Sequence, residues 1–229
     1  MRTKVRSFLR NNSLTLAFGL AFLATLTAQA LVGLAAFNER QVAEGFAQVS
    51  FVHFVMSSDF GVDVMENWQS EYLQFFLYVF GTVWLIQRGS PESKPADKTG
   101  WESDEVQLVG PHADEKSPAW ARAGGIRLKV YSHSLALVMG TIFLMSWFAQ
   151  SVAGRVAYNQ TQIGQLQLPL TWLEYIVSAD FWNRTLQNWQ SEMLALVSMA
   201  VLSVYLRQRG SPESKPVGAP HDTATGRTG

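Results

Sequence analysis

Residues 14–37, LTLAFGLAFLATLTAQALVGLAAF, place no charged side chain in 24 consecutive positions. Residues 130–154 are likewise free of Asp, Glu, Lys and Arg. A helix needs about 20 mostly apolar residues to cross the hydrocarbon of a bilayer. Lipid-exposed backbone must satisfy its own hydrogen bonds, so such runs fold as helices. Two shorter stretches, residues 72–86 and 193–206, are rich in bulky apolar side chains. Each reaches membrane length only with the NWQSE that precedes it, at 67–71 and 188–192. These runs predict four spans. Ala28-Gln29-Ala30 has the form of a signal-peptide cleavage site, but the apolar run continues through it to Phe37.

The second constraint is internal similarity. Shifting the chain by 121 positions aligns residues 13–95 with 134–216 without a gap, and 32 of 83 positions are identical. Self-similarity at a fixed offset is the mark of a duplicated unit. Identity concentrates in NWQSE, in QRGSPESKP (87–95 and 208–216), and at Ser57/Ser178, Asp59/Asp180 and Phe60/Phe181. Two spans per copy is an even number, so both copies enter the membrane from the same side. The expected fold is all-α: four transmembrane helices as two parallel two-helix repeats, with short interfacial helices in the outer loops.

Lys and Arg divide fifteen to three between the two sides of this scheme. The positive-inside rule then places both termini and the central linker in the cytoplasm, and NWQSE at the outer end of spans two and four. Residues 1–12 read as a cytoplasmic basic arm and 13–95 as the first membrane repeat. Residues 96–130 read as a disordered linker with an interfacial lead-in, 131–216 as the second repeat, and 217–229 as a disordered tail. In the outer loops, Thr171-x-x-Glu174 has the form of a capping box. Asp59 and Asp180 are placed to cap the long helices that follow. Those helices are expected to end at Gly89 and Gly210, each followed two residues later by proline.

On a helical wheel Asn67, Ser70, Glu71, Gln74, Tyr78 and Thr82 share one face, while Trp68 and Gln69 point elsewhere. Span one presents Gln29 and Gly33, and its counterpart presents Gln150 and Gly154. Small residues let helices approach, and buried amides seek partners in lipid. The simplest packing brings Gln29 to Asn67–Glu71 and Gln150 to Asn188–Glu192. A candidate polar cluster follows: Gln29, Asn67, Ser70, Glu71, Gln150, Asn188, Ser191 and Glu192. The glutamates weigh most, because a charge at mid-bilayer costs about 2.5–3.5 kcal/mol on insertion scales. They have a structural reading, as carboxylates locking helices, and a functional one, as a proton- or cation-binding pair. Arg88 and Arg209 are candidates for lipid headgroup contact or docking.

With no cysteine, thiol catalysis and disulfides are excluded. The histidines at 53, 112, 133 and 221 lack metal-ligand spacing, and His53 has glutamate in the other copy. No phosphate-binding loop, metal site, cofactor motif or nucleic-acid-binding stripe is visible, and no catalytic constellation. The repeated Ser-Leu before the first and third spans (Ser13-Leu14, Ser134-Leu135), with NWQSE and RGSPESKP, resembles an uncharacterised bacterial membrane-protein family, a domain of unknown function. That resemblance implies a bacterial multi-span protein and no particular activity. The expected function is non-enzymatic: a membrane structural protein, or one binding a partner or lipid. The alternative is a small cation- or proton-coupled transporter or channel using the paired glutamates. The bilayer is the one implied partner; a homo-oligomer or a cytoplasmic partner stays open.

Overall fold

The computed structural model describes residues 2–222. Among them it has nine α-helices and no strand. In chain order these are α1 (Arg2–Asn11), α2 (Ser13–Ala43), α3 (Phe51–Val55), α4 (Ser58–Gly81), α5 (Ala119–Arg122), α6 (Gly125–Ser132), α7 (Ser134–Gly164), α8 (Trp172–Ile176) and α9 (Ala179–Tyr205). Helices α2 and α7, 31 residues each, are long and apolar enough to cross a membrane. Their apolar windows are only 11% and 17% buried within the protein, which sets them apart from the core helices of a water-soluble bundle. On α2, Leu14, Phe18 and Val32 are each at least 70% exposed. Water-soluble monomers leave few such contiguous apolar faces bare. Helices α4 and α9 are more polar in their first halves, which carry Asp59, Asp63 and Glu66, or Asp180 and Arg184.

Each long apolar helix is clasped by the short helix that follows it. Ser50 caps α3 by accepting from the His53 N–H at 3.3 Å. Thr171 and Glu174 form the reciprocal capping box at the start of α8. The connection into each short helix is tied by one amide. Asn38 exchanges two hydrogen bonds with the Val49 backbone, at 3.1 and 2.8 Å. Asn159 does the same with Leu170, at 2.8 Å in each direction.

Each short helix then sends one ring back onto a glycine. A Cβ on Gly33 would meet the Phe54 ring at 3.0 Å, and one on Gly154 would overlap the Tyr175 hydroxyl. These glycines, expected to let long helices approach one another, instead seat a ring. The rings extend into clusters. Phe54 lies 5.4 Å from both Phe37 and Phe60, and Tyr175 lies 5.7 Å from both Tyr158 and Phe181. Tyr175 is fully buried and donates to Asp180 at 3.0 Å. Burial, then the Asp180 charge, holds its phenol above the ordinary range, so it stays a donor.

The caps of α4 and α9 are serines, not the expected aspartates. Ser57 accepts from the Phe60 N–H and Ser178 from the Phe181 N–H, both at 3.3 Å. Asp59 and Asp180 sit inside the first turn, where Asp59 lies 4.0 Å from Arg40. The opposite ends also differ from the sequence reading, since α4 stops at Gly81 and α9 at Tyr205. Trp84 leaves the helical path to stand between Phe80 and Trp101, 4.9 Å from each. Trp101 in turn meets His133 at 4.9 Å, which anchors the segment read as a disordered linker. Arg207 closes α9 by donating to the carbonyls of Val204 and Leu206 at 2.9 and 2.8 Å.

Gly89 and Gly210, both at φ 85, belong to the loops beyond these helix ends. In the first loop Ser93 accepts from the Gln87 N–H at 2.9 Å and Ser90 from the Glu92 N–H at 3.2 Å. In the second, Ser214 accepts from Gln208 at 2.9 Å and Ser211 from Glu213 at 3.2 Å. Lys94 folds back to the Gly100 carbonyl at 3.1 Å, and Lys215 to those of Pro220 and His221 at 3.1 and 3.0 Å. The identity of QRGSPESKP therefore has a local cause: glycine supplies the left-handed turn, serines tie it, and lysine clasps the chain beyond. Part of the tail read as disordered, residues 223–229, lies outside the described residues.

Helices α4 and α7 run side by side in opposite directions. A Cβ on Gly61 would lie 3.7 Å from that of Ala153, and one on Gly140 would lie 3.2 Å from the Phe76 ring. Helix α9 also lies against α4.

Candidate functional site

Residues 66, 70, 74 and 78 recur every four positions on α4, so they stack along one face of the helix. That face meets α9. At its first turn Arg184 on α9 reaches Glu66 at 3.2 Å and Asp180 at 3.5 Å. With Asn183, Gln187 and Asn188 these residues line a cavity of about 360 Å³. One turn on, the Ser70 hydroxyl is 3.4 Å from the Glu192 carboxylate and 3.0 Å from the Asn67 carbonyl, and it donates to either. Gln74 donates to the backbone carbonyl of Glu192 at 3.4 Å. Glu71 is exposed and lies within electrostatic reach of Glu192. Beyond, the Tyr78 hydroxyl donates to the Glu92 carboxylate in the first QRGSPESKP loop. The seam thus carries polar groups from one end of α4 to the other.

A second layer lies behind it, where α7 meets α4 and α9. Gln69 and Gln150 are both fully buried. The Gln69 side-chain oxygen accepts from the Trp189 indole at 2.7 Å. Gln150 donates to the Thr185 hydroxyl at 3.5 Å, and the Trp147 indole reaches the same hydroxyl at 3.4 Å. The Trp147 and Trp189 rings lie 5.7 Å apart, which closes the layer. Two amide atoms, Gln69 Nε2 and Gln150 Oε1, have no hydrogen-bond partner among the described residues.

The structure gathers part of the cluster expected from sequence. Ser70 and Glu192 meet directly, and Glu71 lies within electrostatic reach of Glu192. Asn67 and Asn188 turn back on their own helices, to the carbonyls of Asp63 at 2.7 Å and Arg184 at 2.9 Å. Ser191 likewise bonds to the Asn188 carbonyl at 2.8 Å. Gln150 meets Thr185, one turn short of Asn188–Glu192. Gln29 is exposed and makes no hydrogen bond to Asn67–Glu71, because Gly33, on the same helix, holds Phe54. Arg88 pairs with Asp222 at 3.4 Å in an exposed contact, while Arg209 is exposed and bonds to none of the described residues.

Four residues were missed from sequence: Glu66, Gln69, Thr185 and Arg184. Glu66 aligns with Gln187, Asp63 with Arg184 and Val64 with Thr185, so a search for identity between copies passes over them. Gln69 is identical in both copies and was set aside by the wheel, which shows which residues share a face but not which face meets a neighbour.

Comparison with curated proteins and with solved structures returns no match. The family described as a domain of unknown function, DUF6766, matches residues 5–227. The chain belongs to that family.

Proposed function

We propose that the protein is a non-enzymatic integral protein of the bacterial inner membrane, with four spans in two halves that face the same way. The seam between α4 and α9 is its working part: a path for protons or small cations, with Glu71 and Glu192 as the acidic step. Several features support the architecture. The two 31-residue helices, their ring clasps and their amide ties recur at the same 121-residue offset. Contacts between α4 and α9 advance together, from Glu66–Arg184 to Ser70–Glu192, as expected of helices pointing the same way. The distribution of Lys and Arg supports a cytoplasmic location for both termini.

One observation carries the functional reading: polar groups line the α4/α9 seam from the outer cavity, past Ser70, Glu192 and Gln74, to Tyr78 and the cytoplasmic loop. Ionisable groups in such a position are costly in a bilayer and generally mark pathways. A second reading, that the seam only holds the halves together or presents a surface to a partner or lipid, is favoured by the Gln69–Trp189 bond. Purified protein in liposomes separates the two. The expected result is proton, Na⁺ or K⁺ flux that Glu71→Gln/Glu192→Gln abolishes without loss of folded yield. Absence of flux from the unmodified chain for all three ions leaves the cohesive role.

A further inference from the structure

The covered faces of α4 and α7 have counterparts 121 residues away that lie bare. Gln69 and Leu73 are buried on α4, and Ser146 and Gln150 on α7. Their counterparts are Gln190 and Leu194 on α9, and Thr25 and Gln29 on α2. All of these are exposed; Leu73 is 9% exposed and Leu194 63%. The Phe76 ring lies over Gly140, whereas an added Cβ on the matching Gly19 would have no atom within 4 Å. Val197, in the place of Phe76, is exposed. Trp182 replaces Gly61, but its ring turns to Trp147 at 6.0 Å.

Contacts between the two halves of the chain are made once each. Trp189 donates to Gln69, and among the described residues no bond joins Trp68 to Gln190. Ser70 reaches Glu192 at 3.4 Å, whereas Ser191 bonds to the Asn188 carbonyl of its own helix and Glu71 is exposed. A two-fold relation would make every contact twice. A contact between unlike faces is made once and leaves one face of each kind unused, here on α9 and on α2. Gln29 sharpens the point. It sits within the uncharged run of α2, exposed and without a hydrogen bond to any described residue. An amide facing hydrocarbon gives up water and gains no partner, which costs free energy, and amides in lipid bond across to neighbouring helices. Lipid tails can cover Leu194 and Val197 but cannot satisfy Gln29.

We propose that α2 of one copy docks along α9 of a second copy, in the manner that α7 docks along α4 within the chain. The face on α2 matches the one α7 uses, and the face it fits is the one α9 shares in sequence position with α4. No long helix of the same chain approaches α2 as closely as α4 approaches α7. Docking brings Gln29 and Gln190 into one covered layer, as Gln150 and Gln69 share one now. Because the contact joins unlike faces, it repeats from copy to copy and closes as a ring where its rotation permits. The inference rests on the membrane placement proposed above, not on ion flux, and its test reads crosslinks.

The chain has no cysteine, so introduced thiols have no background. Two full-length versions with different tags, Gly19→Cys and Val197→Cys, are expressed together, and their membranes are treated with a short bifunctional thiol reagent. Phe76→Cys/Gly140→Cys in one chain is the control for the reagent. A crosslinked dimer carrying both tags is expected. Ala21→Cys, on the opposite side of α2, should give several-fold less of it than Gly19→Cys. Absence of the mixed product while the control pair links would overturn the proposal. So would equal product from Ala21→Cys, or Gly19→Cys/Val197→Cys in one chain linking only within that chain. Alkaline carbonate extraction of the same membranes reports separately on the membrane placement.

Discussion

The indole nitrogen of Trp189 donates to the side-chain oxygen of Gln69 across 2.7 Å, joining the tryptophan of one NWQSE to the glutamine of the other. The bond is not returned among the described residues: Trp68 is 37% exposed and Gln190 is exposed. Five identical letters therefore sit in two different environments. One copy contributes its buried glutamine, the other its indole donor and the carboxylate that meets Ser70.

This asymmetry is measurable. Trp189→Phe leaves Gln69 buried without its one partner and should cost about 1–3 kcal/mol of stability. Trp68→Phe, which removes no hydrogen bond among the described residues, should stay within about 0.5 kcal/mol. Denaturant titration of both variants in the same detergent checks the ranking; equal losses would mean the indole bond does not hold the halves.

The ring clasps give an ordered series at glycine. Gly154→Ala drives a methyl group into the Tyr175 hydroxyl and should cost about 1–3 kcal/mol, the usual range for overpacking. Gly33→Ala meets the Phe54 ring less closely and should cost less. Gly19, where an added Cβ would have no atom within 4 Å, should accept alanine without loss. Thermal unfolding of the three single variants tests the order.

Tyr78 tunes the proton held by Glu92. Its hydrogen bond favours the ionised carboxylate, so Tyr78→Phe should raise the Glu92 carboxyl further above its ordinary range. An NMR titration of the isotope-labelled Glu92 carboxyl carbon in the full chain checks the direction; a downward shift would mean that the hydroxyl is not bonded to the charged form.

Local signals were the readable ones. The uncharged runs marked α2 and α7, and Thr171-x-x-Glu174 marked the start of α8, because both depend on residues within a turn or on solvent preference alone. The ends of α4 and α9 fall short of the glycine-proline signal for two reasons: Trp84 meets the Trp101 ring edge-on, seventeen residues along the chain, and Arg207 caps its own helix. The site was legible where a polar stripe on α4 foretold Ser70, Gln74 and Tyr78. It was hidden at Arg184, whose partner Glu66 belongs to a different helix and whose counterpart in the first copy is Asp63.

The close approach of α4 to α7 crosses from the first half of the chain to the second. Neither half on its own covers Gly61, Phe76, Ala153 or Gly140 with the neighbour seen here. Cut between them, the two halves would have to find each other as separate molecules, whereas the continuous chain makes that meeting a tethered one that does not depend on concentration.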